Sequence, residues 1–330
     1  MFGSIDSIAF MMDTENKKAY IEFCEKEQGG VMIFMQPWWL DIVVGVGNWD
    51  VCLAKGKMGE VIGALPYATQ KRWGMTKIII PYLSHFCGVW LAPSLAEKRH
   101  SQYSYVKRVL TELIEQLPKV HLFQQKYHYS LEDGQPFYWA GYDTLIRYSY
   151  LIKDLTDLKR VHGNFNQLLR SQIKTAESKV VVEETDDLEL FLRVNELTFQ
   201  RQGMHNPIPI TVWRALDAAL ALRGLRTIYV AKDKETGAIH AVQYVLKDAK
   251  VAYNLAQGYD PAYSSSEASK LLLWIAIKDS AEWAETFDFE GSMLKGVEYV
   301  FRSFGAEQVA YLHVVKVKNK FLKAVEILRR

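Results

Sequence analysis

The chain is short of the residues and patterns that most chemistries need. Its 330 residues include three cysteines, Cys24, Cys52 and Cys87. They are odd in number, widely spaced and free of CxxC pairing. That excludes a disulfide framework and points to reduced thiols in an intracellular protein. No histidine or cysteine pair stands at metal-ligand spacing; His121 and His128 only flank an extended segment, so no metal is expected. There is no GxxxxGK[ST] phosphate loop and no GxSxG nucleophile elbow. Lys and Arg total 40 against 38 Asp and Glu, a net charge of +2, so the whole chain carries no electrostatic footprint for nucleic acid. Long apolar runs are also missing. The run from Ile78 to Pro93 is interrupted by Pro81, Ser84, His85 and Gly88, and it is shorter than the roughly 20 apolar residues of a membrane helix. Met1 to Asp13 begins without a basic stretch and ends in acids, unlike a signal peptide. A soluble, cytoplasmic chain with no transmembrane segment is expected.

What is present is an ordinary globular composition, 49% apolar and 13% aromatic, with length for one large domain or two. In the first half, Lys17–Glu27 reads as a helix and Val31–Met35 as a strand. Trp38-Trp39 follow a proline turn. Asp50–Ala54, Glu60–Tyr67 and Trp73–Pro81 read as strands. His100–Leu117 places Tyr103, Val106, Leu110, Leu113 and Leu117 on one helical face. Val120–Lys126, Phe137–Ala140 and Asp143–Ile152 complete a meander. From Asp154 the order is helix, strand, two helices, three meandering strands, helix, strand, helix, strand. Thr211 reads as a helix cap, and Ser264-Ser265-Ser266-Glu267 as a capping box. The expected fold class is α+β, in two domains, 1–153 and 154–330. Each would be a mixed, mostly antiparallel sheet flanked by helices.

One segment carries most of the chemistry. Phe287-Asp288-Phe289-Glu290-Gly291-Ser292 is a short apolar strand that delivers acids and a serine to its mouth. It turns through a glycine into a helix ending at Phe301-Arg302, with Gly305 just beyond. A meander, a capped helix and then strand–helix–strand is the element order of the GNAT acyltransferase fold. Further segments fit a known group: Gln36-Pro37-Trp38-Trp39-Leu40-Asp41, Pro81-Tyr82-Leu83, Gly88-Val89-Trp90-Leu91, Tyr253-Asn254 and Leu272-Leu273-Trp274. With Asp288–Ser292 and Gly296–Gly305, they make the chain resemble the FemAB-like proteins, a tandem-GNAT family that includes peptidoglycan-bridge aminoacyltransferases.

That resemblance implies transfer of an acyl or aminoacyl group onto an amine of a cell-wall or polysaccharide precursor, bound in a cleft between two GNAT-like domains. The donor would be acyl-CoA or aminoacyl-tRNA. Two departures bear on tRNA: Arg302 stands where the family has lysine, and no long charged helical hairpin occurs. Amide formation needs a base for the acceptor amine, a partner for the oxyanion and a proton for the leaving group. Glu290 is the candidate base, Arg302 the cationic partner, and Ser292 or Tyr253 the proton donor. Trp38, Trp39, Tyr253, Asn254 and Phe301 are the candidate substrate contacts. Asp288, flanked by phenylalanines, is read as a backbone cap.

Structural roles fit the same residues. Glu290 and Arg302 can form ion pairs, the tryptophans can fill a core, and the basic C-terminal run Lys316–Arg330 can dock as a helix or touch an anionic surface. The loop Gln257–Asp260 lacks a pyrophosphate pattern, and Asp260 and Glu267 would repel phosphate. A non-catalytic precursor- or carbohydrate-binding protein on the same fold is therefore a second reading, and an interaction protein a third.

Overall fold

A computed structural model describes residues 13–27, 30–201 and 203–318. Its contacts group the chain into two compact units. One holds the residues up to Leu145 and those from His313 onward; the other is Ile146–Leu312. The sequence reading divides at 153/154, whereas the contacts divide within a long strand, and the last strand carries residues of both units.

In the first unit, α1 (Glu15–Lys26) is capped by Thr14, whose hydroxyl accepts from the Lys17 N–H at 3.1 Å. The strand expected over Val31–Met35 is instead a single tight turn, Ile33–Met35, with all three residues buried. Pro37 sets the following backbone for a helix start, so Trp38 and Trp39 lie on α2 (Pro37–Val44). Strands β1 (Trp49–Lys55), β2 (Val61–Arg72), β3 (Met75–Ile79) and β4 (Trp90–Leu91) follow. After them come α3 (Arg99–Glu115), β5 (Leu122–Lys126), α4 (Gln135–Trp139) and β6 (Asp143–Ile152). The strand expected over Phe137–Ala140 is α4, because Pro136 stands in its first turn. β1–β2 and β2–β3 pair antiparallel, and β3–β5 pair parallel. The core packs Tyr20 of α1 with Trp49, Val51 and Leu53 of β1. All three cysteines are buried free thiols.

In the second unit, α5 (Leu158–Gly163), α6 (Gln167–Lys179), β7 (Val180–Thr185), α7 (Leu188–Gln200) and α8 (Ile210–Leu222) precede the meander β8 (Arg226–Asp233), β9 (Ile239–Asp248) and β10 (Val251–Tyr259). Then come α9 (Ala268–Ser280), β11 (Thr286–Asp288), α10 (Lys295–Ser303) and β12 (Glu307–Val317). The sheet order is β6-β11-β10-β9-β8-β7. β10 and β11 run parallel and the other pairs antiparallel. The α+β class, the meander and the closing strand–helix–strand are as the sequence predicts.

Two caps differ from expectation. Thr211 lies inside α8, which starts after Pro209. Glu267 forms no capping box: it sits at φ 60 with no side-chain cap bond. Its carboxylate instead accepts from Gln172 and pairs with Lys270. The end of β12 pairs with β5 inside the first unit, from His313↔Lys126 to Val317↔Leu122. Beyond Lys318, the basic C-terminal run lies outside the described residues. Among the described residues, no helix is long and apolar enough to cross a membrane.

Candidate active site

The site is built where β10 and β11 part. They pair at only three positions, ending at Tyr253↔Asp288. The next residue of β10, Asn254, begins a bulge, and the strand then continues to Tyr259 paired with β9. A bulge bends its strand away from a neighbour, so one edge of β10 loses its partner at Asn254. Asn254 is 8% exposed, and its Oδ1 has no hydrogen-bond partner among the described residues. One strand over, Gln243 is fully buried with neither amide atom hydrogen-bonded among them. Buried amides left without partners mark places where a water or a ligand completes the bonding.

β11 ends in a tight turn. Glu290 and Gly291 both take left-handed backbone, at φ 60 and φ 66. A Cβ on Gly291 would stand 2.1 Å from the Tyr148 carbonyl oxygen, so only glycine lets the two backbones approach. Asp288, wholly buried, holds the turn: its Oδ1 accepts from the Ser149 hydroxyl at 2.5 Å and from the Glu290 N–H at 2.8 Å. It is the backbone cap its position predicts. Glu290 itself is half-buried. Facing these acids is Tyr311 on β12. Burial pushes its hydroxyl up to about 12; Arg147 on β6 opposes that shift, while Asp288 and Glu290 add to it. Glu290, Asp288, Tyr311 and Arg147 therefore form one electrostatic cluster. Tyr311 and Arg147 carry no motif; only the pairing of β6 and β12 into this sheet brings them here.

The other expected residues distribute as follows. Ser292 accepts from the Leu294 N–H at 3.1 Å and so shapes the entry to α10. Arg302 is exposed and held on its own helix, its Nε donating to Glu298 at 2.8 Å. That bond lowers the Glu298 carboxyl below its ordinary value and raises the guanidinium. Glu298 also accepts from Tyr150 at 3.0 Å, which in turn accepts from Gln308. Three of the expected substrate contacts are buried side chains. Phe301 packs into the core against Phe289, with ring centroids 4.9 Å apart. Tyr253 is 1% exposed. In the first unit, Trp39 is fully buried against Phe34, and its indole N–H donates to Ser84 at 2.8 Å. Apolar and aromatic residues at these positions serve packing first. Trp38 remains half-buried, its ring edge-on to Trp39.

The start of α9 is where a donor's pyrophosphate would meet helix N–H groups. It carries the Glu267 carboxylate, and Asp260 caps the turn before it by accepting from the Ala262 N–H at 2.9 Å. These residues do not fit a phosphate cradle. Among the described residues, no cluster of three or more metal-ligating side chains occurs.

Comparison with known proteins agrees with this architecture. Residues 163–299 match the acetyltransferase (GNAT) domain family. The curated proteins give no match. Among solved structures, FemX superposes with TM-score 0.61 at 13% identity, covering 90% of this chain and 95% of that one. L-PGS from Bacillus licheniformis gives 0.53 at 14% identity, covering 96% and 97%. The C-terminal domain of a putative lysylphosphatidylglycerol synthetase from Agrobacterium fabrum gives 0.51 at 12% identity, covering 88% and 90%. Residues 163–299 thus carry the match to the acetyltransferase (GNAT) domain family, and along nearly its whole length the chain shares its fold with FemX.

Proposed function

We propose that the chain is an N-acyltransferase that moves an acyl or aminoacyl group onto an amine of a cell-wall or polysaccharide precursor. The observation that carries this reading is the parting of β10 and β11 at Tyr253/Asp288, inside the segment that matches the GNAT domain. It leaves a strand edge beside a carboxylate and a high-pKa phenol. In the reaction, the amine nitrogen attacks the donor carbonyl and a C–N bond forms. Glu290 accepts the amine proton. The oxyanion is met by hydrogen-bond donors, and collapse breaks the bond to the thiol or ribose oxygen. Tyr311, a phenol protonated at neutral pH, donates to that leaving group. Asn254 contacts the donor, Ser292 and Trp38 border the acceptor, and exposed Arg302 grips an anionic part of either substrate.

A second reading has its own support: the Glu267 carboxylate at the start of α9 disfavours CoA and is consistent with a protein that binds a precursor without a donor. Thermal-shift measurements with acetyl-CoA and with aminoacyl-tRNA separate the two. Stabilisation by a donor, together with acyl transfer to an amine lost in Glu290→Gln, supports the enzyme. Stabilisation by precursor alone, with no transfer from either donor, contradicts it.

A further inference from the structure

At one end of the first unit's sheet, an aromatic-tipped basic surface is assembled that the transfer reaction does not use. β2 and β3 join through a two-residue turn, Trp73-Gly74, with Arg72↔Met75 as the last pair. Both turn residues have positive φ, 50 at Trp73 and 70 at Gly74. Turns of this kind take Asn or Gly at the first position, and a bulky ring there is strained. Trp73 is nevertheless 80% exposed, with the Arg72 guanidinium 4.2 Å from its ring centroid. Packing therefore gives no reason for a tryptophan at this tip.

The surroundings are cationic. β3 starts beside the start of β5 (Lys77↔Leu122), and β12 ends there too (Val317↔Leu122). This end of the sheet thus gathers Lys71, Arg72, Lys77, Lys119, Lys316 and Lys318, against the acids Asp50, Glu115 and Asp143; Asp13 is paired with Lys17. Between the ends of α3 and β12 lies a cavity of about 620 Å³. Ile114, Leu117, Phe123 and Val317 line it together with the carboxylates Glu115 and Asp143, and Lys119, Lys316 and Lys318 stand at its rim. Lys316 lies over Tyr142 at 4.4 Å.

We propose that this end of the first unit docks on an anionic phospholipid surface. Trp73 would insert at the headgroup level, and the lysines would face lipid phosphates. An exposed indole beside basic side chains is the usual composition of an interfacial anchor, and one exposed ring at a hairpin tip is fewer than the successive stacking platforms a polynucleotide uses. The proposal is independent of the chemistry proposed for the second unit.

The test is sedimentation of the full-length protein with vesicles of equal parts phosphatidylglycerol and phosphatidylcholine, against phosphatidylcholine alone. Binding to the anionic vesicles only, weakened by salt, is expected. Trp73→Asn should weaken it by about tenfold or more while leaving the melting temperature unchanged or raised, since asparagine tolerates the turn backbone. Lys71→Glu, on the same tip, should weaken it in a salt-dependent way. The proposal is overturned if anionic vesicles do not sediment the protein, if both variants bind like the wild type, or if an RNA oligonucleotide binds this surface and displaces the vesicles.

Discussion

Each unit buries a set of ionisable groups, and the two sets differ in kind. In the first, burial lowers His85 well below its ordinary value and His128 to about 4, and pushes the Cys87 thiol up to about 11. All three are neutral at pH 7. In the second, burial raises the Tyr311 hydroxyl, but that phenol faces Asp288, Glu290 and Arg147 beside a strand edge that has lost its partner. Burial alone makes a group inert. Burial next to a half-exposed carboxylate, at a gap in the sheet, makes an acid and a base that can work together. On the proposed function, chemistry belongs to the second unit, and packing and surface docking to the first.

The largest test of this division is structural. Trp39→Ala removes a fully buried ring and its bond to Ser84, and should cost about 3–5 kcal/mol in denaturant unfolding. If Trp39 were a ligand contact instead, stability would change little and affinity would fall. Gly291→Ala forces a Cβ against the Tyr148 carbonyl at positive φ and should cost about 2–4 kcal/mol by the same measurement. A neutral result would mean that the turn relaxes freely and does not hold Glu290.

Next in size is acid sensitivity. Because His128 is lowered to about 4 when folded, the unfolded chain binds more protons between about pH 6.5 and 4. Stability present above that window is lost as pH falls through it, by about 1–2 kcal/mol for a half-buried ring. His128→Gln should flatten the slope of melting temperature against pH there and leave turnover intact. A slope unchanged in the variant would place the acid-sensitive group elsewhere. The smallest stability effect is expected for Arg302→Ala, since its pair with Glu298 is exposed. The melting temperature should stay near wild type while turnover falls, and undiminished turnover would remove Arg302 from the reaction.

Much of the fold was legible in the sequence because its signals are local: the meander around Asp233–Gly237, the amphipathic His100–Leu117 helix and the Phe287–Gly305 strand, turn and helix. The misses have local causes too. Proline at the first turn made helices of Pro37–Val44 and Gln135–Trp139, where apolar runs read as strand or turn. Of the candidate site, Glu290, Asn254 and Ser292 were legible from the motif. Tyr311, Arg147 and Gln243 were not, because each lies in an ordinary β-strand pattern and gains meaning only from strand pairing across distant sequence. The burial of Tyr253, Phe301 and Trp39 was not legible either, because an aromatic side chain reads the same in sequence whether it fills a core or lines a cleft.

The central claim is that Glu290 and Tyr311 act as base and acid for acyl transfer. Its most direct test is kcat for transfer to an amine acceptor in Glu290→Gln and Tyr311→Phe, each measured alongside its melting temperature. The account predicts losses of about 10²-fold or more in both, with folding intact. Turnover within about threefold of wild type in either correctly folded variant would contradict it.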